Sequence, residues 1–172
     1  MIEGQAYYGG RGINRSGGQE GDYLCHTDAL AKFTVIVEIK RPDTSLFGRE
    51  SYRNGAWELH TELTGGMTQL QVNCRTWNIS GSRQPENQER LLRDGIHTVE
   101  PEGILIIGHS AQYAENMDKR NTFETFRRNL RTPRVITFDE LFERAKFIVN
   151  QPAQPSAESR STSTVSGSVQ SD

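Results

Sequence analysis

The chain has 172 residues, and 20 Lys and Arg against 22 Asp and Glu give it a formal net charge of −2 at pH 7. That length suits one domain with a real core, and the charge argues against nucleic-acid binding driven by overall charge alone. No apolar run approaches the roughly 20 residues of a membrane span, the N-terminus lacks a signal-peptide pattern, and two isolated cysteines, Cys25 and Cys74, make no disulfide framework and fit a reducing cytoplasm.

In chain order, residues 5–8 read as a short strand, followed by glycine-rich text over 9–18. That stretch lacks the Gly-Lys-Ser/Thr ending of a phosphate loop and reads as a flexible connection. Strands near 22–26 and 33–40 form a hairpin, with His26-Thr27-Asp28-Ala29 as its turn. A polar loop over 42–56 leads into a helix over 58–77. Its Gly65-Gly66 pair costs about 1 kcal/mol per glycine against alanine, which points to close packing on a sheet. Residues 78–95 are polar, with a short helix over 86–93. A buried strand follows over 103–108, an arginine-rich helix over 117–130 and another strand over 134–137.

Thr137 and Glu140 have the spacing of a capping box. The helix they open places Phe138, Leu141, Phe142, Ala145, Ile148 and Val149 in one stripe, expected to face the core. From residue 151 the Ser, Pro, Gln and Thr content without aromatics reads as a disordered polar tail. The chain therefore divides into a domain over 1–150 and a tail over 151–172. The element order implies an α/β fold with a mixed central sheet flanked by helices.

The run from Phe33 to Pro42 carries the chemistry. Side chains alternate along a strand, so Glu38 and Lys40 share a side with Thr34 and Ile36, while Val35, Val37 and Ile39 take the other. A strand apolar on both sides lies inside a sheet. Two charges there cost several kcal/mol unless paired with each other or with a metal. An Asp followed by Glu-x-Lys on the next strand is the spacing of metal-dependent nucleases, and Asp22 supplies the acid. Asp28 competes for that role, but it has turn chemistry whereas Asp22 opens an extended run. Adjacent strands lie about 5 Å apart, so Asp22 and Glu38 could share one Mg²⁺, with Mn²⁺ substituting and the Ile39 carbonyl completing the platform. Lys40 then stands as a point charge for the attacking water or the transition state. An ordinary Glu–Lys pair on an exposed edge strand is the bland alternative.

At this point the text resembles the catalytic domain of the Shedu family of anti-phage nucleases, of the PD-(D/E)XK restriction-endonuclease-like superfamily. The matching residues are Gly21-Asp22-Tyr23-Leu24, Val37-Glu38-Ile39-Lys40-Arg41-Pro42-Asp43-Thr44 and Glu62-Leu63-Thr64-Gly65-Gly66-Met67-Thr68-Gln69. They continue with Gly103-Ile104-Leu105-Ile106-Ile107-Gly108, the Arg120, Phe123-Glu124, Phe126-Arg127 pattern, and Ile136-Thr137-Phe138-Asp139-Glu140-Leu141. Six blocks in order cover most of the chain. The resemblance implies a restriction-endonuclease-like core, a DNA endonuclease activity, metal-binding acids at Asp22 and Glu38, a catalytic Lys40 and a site residue at Gln69. Restriction-type relatives often have a Tyr four residues after that Gln; here the place holds Asn73. The superfamily core usually starts with a helix before the first strand, whereas Glu3 is the only carboxylate near the start of this sequence. The expectation is either a minimal domain or a fragment, with a catalytically weak or inactive DNA-binding or assembly module as the second function class.

The basic residues are mostly arginine, the side chain suited to bidentate phosphate contact. Lys119, Arg120, Arg127, Arg128, Arg131 and Arg134 face only Glu124 within their stretch. Arg120, Arg127, Arg128 and Arg131 are thus candidates for a DNA backbone. Pairs between Glu124 and Arg120 or Arg128 at helical spacing are the equal alternative. His26, His60, His97 and His109 show no zinc-ligand spacing with the cysteines, although His26 lies near Asp22. DNA is the expected partner, membranes are not, and a homo-oligomer stays open.

Overall fold

The computed structural model describes residues 3–8 and 19–150, with side chains described from Asp22 onward. The glycine-rich stretch over 9–18, the side chain of Glu3 and the tail over 151–172 lie outside what is described. Strands β1 (Glu3–Tyr8), β2 (Gln19–His26) and β3 (Lys32–Ile39) run antiparallel in turn. The expected hairpin is β2–β3, with Tyr23 opposite Val37 and Leu24 opposite Ile36. Thr27 closes its turn from both sides: its N–H donates to the Phe33 carbonyl at 2.9 Å, and its hydroxyl accepts the Phe33 N–H at 2.9 Å.

The chain then leaves the sheet through β4 (Phe47–Arg53), β5 (Ala56–Leu59), α1 (Thr61–Ile79) and α2 (Pro85–Arg93). It returns as β6 (Ile96–Ile106), parallel to β3, and after α3 (Met117–Arg128) adds β7 (Arg134–Ile136) parallel to β6. The sheet order β1-β2-β3-β6-β7 puts β3 at the centre of a mixed sheet, and α4 (Phe138–Val149) ends the described chain. Pleating places Leu24, Ile36, Glu38, Leu105 and Ile107 on one face, and all four of these apolar side chains are fully buried. Helix α1 covers that face with Leu63, Met67, Leu70 and Trp77. Each fully buried Leu or Ile contributes about 1.5–3 kcal/mol.

Three elements depart from the sequence expectation. The expected loop over 42–56 and the residues just after it contain the β4–β5 hairpin, a separate two-stranded sheet, so α1 starts only at Thr61. The hairpin strands are mostly exposed, so they carry no apolar period. The signal was Asn54-Gly55, with Gly55 at φ 78° in the turn. The hairpin is held at its base: the Phe47 ring packs edge-on against Phe123, and the Trp57 N–H donates to Thr122 Oγ1 at 3.1 Å. Strand β6 starts seven residues earlier than expected, because its polar first half still pairs with β3 across a register shift. The stripe of α4 does not face the core. Thr137, the residue before the helix, is buried, but Phe142, Phe147, Ile148 and Val149 are all exposed. Only the first turn is docked, by the capping box and by charge, and the rest projects from the sheet. Among the described residues no helix is long and apolar enough to cross a membrane.

Candidate active site

The β2–β3 register brings Asp22, one step beyond the Tyr23–Val37 pair, to the level of Glu38. Asp22 Oδ2 accepts the Ile39 N–H at 2.6 Å, which fixes the carboxylate against the backbone between Glu38 and Lys40. Glu38 is 6% exposed, the buried acid of the sheet face beneath α1. Burial raises its pKa; the hydrogen bond from Lys40 opposes that, the Asp22 charge adds to it, and the net shift is upward. Burial dominates, so the nearby positive charge only partly offsets it. Lys40 supplies that charge, with Nζ 3.1 Å from Glu38 Oε1.

Gly66 of α1 explains how a lysine fits there. A Cβ at Gly66 would lie 3.4 Å from both Lys40 Cε and the Leu105 methyls, so the bare helix backbone seats the lysine stem. Gly65 has open space around it, and close packing accounts for only one member of the pair. Gln69 is exposed on α1, and its side chain makes no hydrogen bond among the described residues. It stands three residues beyond Gly66 on the covering helix, apart from the Asp22–Glu38–Lys40 contacts. Asn73 is fully buried with both amide atoms unpartnered. Asp28 is exposed in the hairpin turn.

No group of three or more His, Cys, Asp or Glu side chains converges among the described residues. Two carboxylates at one level, one of them buried, are nonetheless a hard-oxygen donor set of the kind Mg²⁺ takes, since that ion keeps several waters. Asp22 and Glu38 fit it.

The family described as Shedu protein SduA, C-terminal, matches residues 2–142. The chain belongs to the Shedu family. It is 33% identical over 154 residues to the Shedu protein SduA of Bacillus cereus (strain B4264), covering 87% of this chain and 39% of that protein. The chain thus spans about two fifths of the length of this curated relative. The part that matches the Shedu family runs from β1 into the first turn of α4, and includes every candidate site residue.

The arginines between 120 and 134 of this Shedu chain are mostly committed to its own carboxylates. Arg127 bridges Glu124 at 2.6 Å and Glu140 at 2.7 Å, which raises its pKa, chiefly through the Glu140 hydrogen bond. Burial pushes both glutamates up, but the Arg127 hydrogen bond and charge, joined by Arg128 at Glu124 and by Thr137 at Glu140, together hold them below the ordinary value. Arg128 pairs with Glu124 at 3.0 Å, Arg131 with Glu100 at 3.6 Å, and Arg134 with Glu102. Arg120 donates to the Ala114 carbonyl at 2.8 Å. Arg128 and Arg131 are largely exposed, Arg127 is not.

Ser110, His109 and Asp139 also meet, where β6 ends and α4 begins. Their geometry is that of a cap. Ser110 donates its N–H to Asp139 Oδ1 at 3.0 Å and its hydroxyl to Oδ2. His109 Nδ1 accepts the Ala111 N–H at 3.1 Å, so no imidazole stands between serine and carboxylate as a base relay needs.

Proposed function

We propose that this chain hydrolyses DNA phosphodiester bonds with Mg²⁺ at the Asp22–Glu38–Lys40 site, within an anti-phage defence system of the Shedu kind. The observation that carries the reading is Glu38: a buried carboxyl, pushed up by burial, level with a second acid and contacted by a lysine. A bound divalent cation supplies Lewis-acid activation of water and neutralises charge on the phosphate. Asp22 and Glu38 would hold it, with Mn²⁺ able to substitute. Asp22 is oriented by the Ile39 N–H, and Glu38 is shielded from bulk water by α1, which strengthens its charge interactions. Lys40, still 24% exposed at its side chain, would serve as the cation for a phosphate oxygen that gains charge in the transition state. Gln69, exposed on the same helix, is within the substrate-facing surface in this reading. An Asp on one strand and Glu-x-Lys on its neighbour supports a restriction-endonuclease-like core.

A second reading is a non-catalytic DNA-binding or assembly module. It is favoured by the small acid set: among the described residues only two carboxylates meet, and Lys40 already engages one oxygen of Glu38. The deciding experiment nicks supercoiled plasmid with wild type and Glu38→Ala in Mg²⁺ and in Mn²⁺, and follows melting with each metal. Nicking by wild type alone, with metal-dependent stabilisation, supports the nuclease. Neither nicking nor stabilisation in wild type leaves the second reading.

A further inference from the structure

Within the basic stretch over 119–134, two cations make no ion pair among the described residues: Arg120, which donates to the Ala114 carbonyl, and Lys119. Arg127, Arg128, Arg131 and Arg134 are each matched to a carboxylate. The Lys119 ammonium lies instead 4.3 Å from the Trp57 ring centroid and 5.4 Å from that of Phe47. Aromatic faces hold a cation in place without neutralising it. Lys119 forms one wall of a cleft of about 620 Å³ whose other walls include Arg49 and Glu58 of the β4–β5 hairpin, His60 and Thr61 at the start of α1, and Gln112.

The cleft is placed relative to Lys40 by rigid parts. Gly66 of α1 lies against Leu105 and the Lys40 stem, and Cys74 lies near Gly103, so α1 runs against the direction of β6. Its start therefore lies beyond the carboxyl ends of the parallel strands β3 and β6, the usual ligand side of such sheets. From Gly66 back to Thr61 is about 7 Å of helix, so the cleft lies within reach of a DNA strand held at Lys40. Gln112 locks the intervening loop, its Oε1 accepting the Leu46 N–H at 2.8 Å and its Nε2 donating to the Thr44 carbonyl at 2.8 Å. Against the two cations stands Glu58, whose carboxylate lies beside Gly48. The excess of one positive charge suits one phosphate of a polymer held at many points, and suits a free anion poorly.

We propose that this cleft receives a backbone phosphate of the DNA strand that crosses the Lys40 site, bound by Lys119 with help from Arg49. The proposal rests on DNA being the substrate of the Lys40 site. Trp57, beneath the ammonium, reports occupancy directly, and the other tryptophan, Trp77, is fully buried.

The test titrates a short duplex into the protein with Ca²⁺ in place of Mg²⁺, reading Trp57 emission together with anisotropy of the labelled duplex at several salt concentrations. Lys119→Met keeps the stem on the rings and removes only the charge; Lys119→Arg keeps the charge; Trp57→Phe assigns the emission. Expected are a Trp57 change on saturation of wild type, and for Lys119→Met a lost change, affinity about 5–10-fold weaker and a salt slope smaller by about one. Lys119→Arg keeps most of the response. Equal affinity and slope for Lys119→Met and wild type overturn the proposal. So does a silent Trp57 in saturated wild type, a response of equal size to millimolar inorganic phosphate, or no duplex binding by wild type. Duplex binding with the Trp57 response but no Mn²⁺-dependent nicking rejects the nuclease reading and leaves the phosphate site standing.

Discussion

Asp22 reaches across the β2–β3 pair and accepts the backbone N–H of Ile39, at 2.6 Å from Oδ2. The bond falls between Glu38 and Lys40, so one acid both adds charge to the site and fixes the strand that carries the other two groups. Its charge also raises the pKa of Glu38. Removing Asp22 therefore has a structural consequence and an electrostatic one, and the choice of substitution separates them.

Asp22→Asn keeps an oxygen acceptor for Ile39 and removes the charge. The fold should survive, with melting within a few degrees of wild type. Metal-dependent nicking should fall by about 10²-fold or more, as for loss of a group that stabilises the transition state, and Mn²⁺ should no longer stabilise the protein. Full nicking by the Asp22→Asn protein would transfer the first acid to Asp28.

The hairpin, the central strand and the convergence of Asp22, Glu38 and Lys40 were legible in the sequence because they rest on strand alternation, which survives without tertiary context. The expectation for α4 failed because a helical stripe specifies an apolar side and not what it meets. Thr137, Glu140 and Asp139 dock the first turn, and Phe142 and Ile148 remain exposed. The β4–β5 hairpin escaped notice because its exposed strands have no apolar period, and what positions it, the contacts of Phe47 and Trp57 with α3, is long-range. For the arginines, sequence left phosphate contact and ion pairing equal. The pairing of Arg127 with Glu140, on a different helix, has no signature in local spacing.

The two glycines of α1 should separate. Gly65→Ala meets open space and should raise stability by about 0.5–1 kcal/mol through helix propensity and a less free unfolded chain, with nicking unchanged. Gly66→Ala places a methyl against the Lys40 stem and Leu105, so its propensity gain is offset and nicking should fall. Equal behaviour of both variants in denaturation and nicking would remove Gly66 as the seat of Lys40.

Arg127→Gln should act on stability. It leaves Glu124 and Glu140 facing each other in a partly buried site and should cost about 1–3 kcal/mol in denaturant unfolding. The exposed Arg128→Gln should cost less than about 0.5 kcal/mol. The salt slope of duplex binding should not change for Arg127→Gln. A slope smaller by about one would return Arg127 to the DNA face.

Asp139 gives the cap at Ser110 a pH signature. Burial pushes its carboxyl up, but the hydrogen bonds from Ser110 win and hold it at about 2, below the ordinary 3.8. A carboxyl lowered on folding stabilises the protein above its unfolded pKa, and that contribution is lost as pH falls through the folded value. Asp139→Asn should therefore cost about 1–2 kcal/mol at pH 7, and the gap to wild type should close as pH falls from about 4 towards 2. A gap independent of pH would mean that the cap acts through shape and not through charge.

Lys40 is the sharpest test of catalysis against structure. Its Nζ is 3.1 Å from Glu38 Oε1, a contact that either a transition-state donor or a mere counter-ion would make. Lys40→Met preserves the stem beside Gly66 and removes the charge. If the lysine stabilises the transition state, most nicking disappears, a loss worth about 2.7–4 kcal/mol at comparable sites. Mn²⁺ affinity is then kept or rises, because a positive charge has left the cation's surroundings. If the lysine only neutralises Glu38, its loss leaves a buried carboxyl unpaired in the metal-free protein and lowers stability. A cation bound by Asp22 and Glu38 would then replace the missing charge and restore melting and nicking together. Titrating Mn²⁺ into Lys40→Met while following both signals decides between them: restored melting without nicking assigns Lys40 to the chemistry, and restored nicking makes it a structural partner of Glu38.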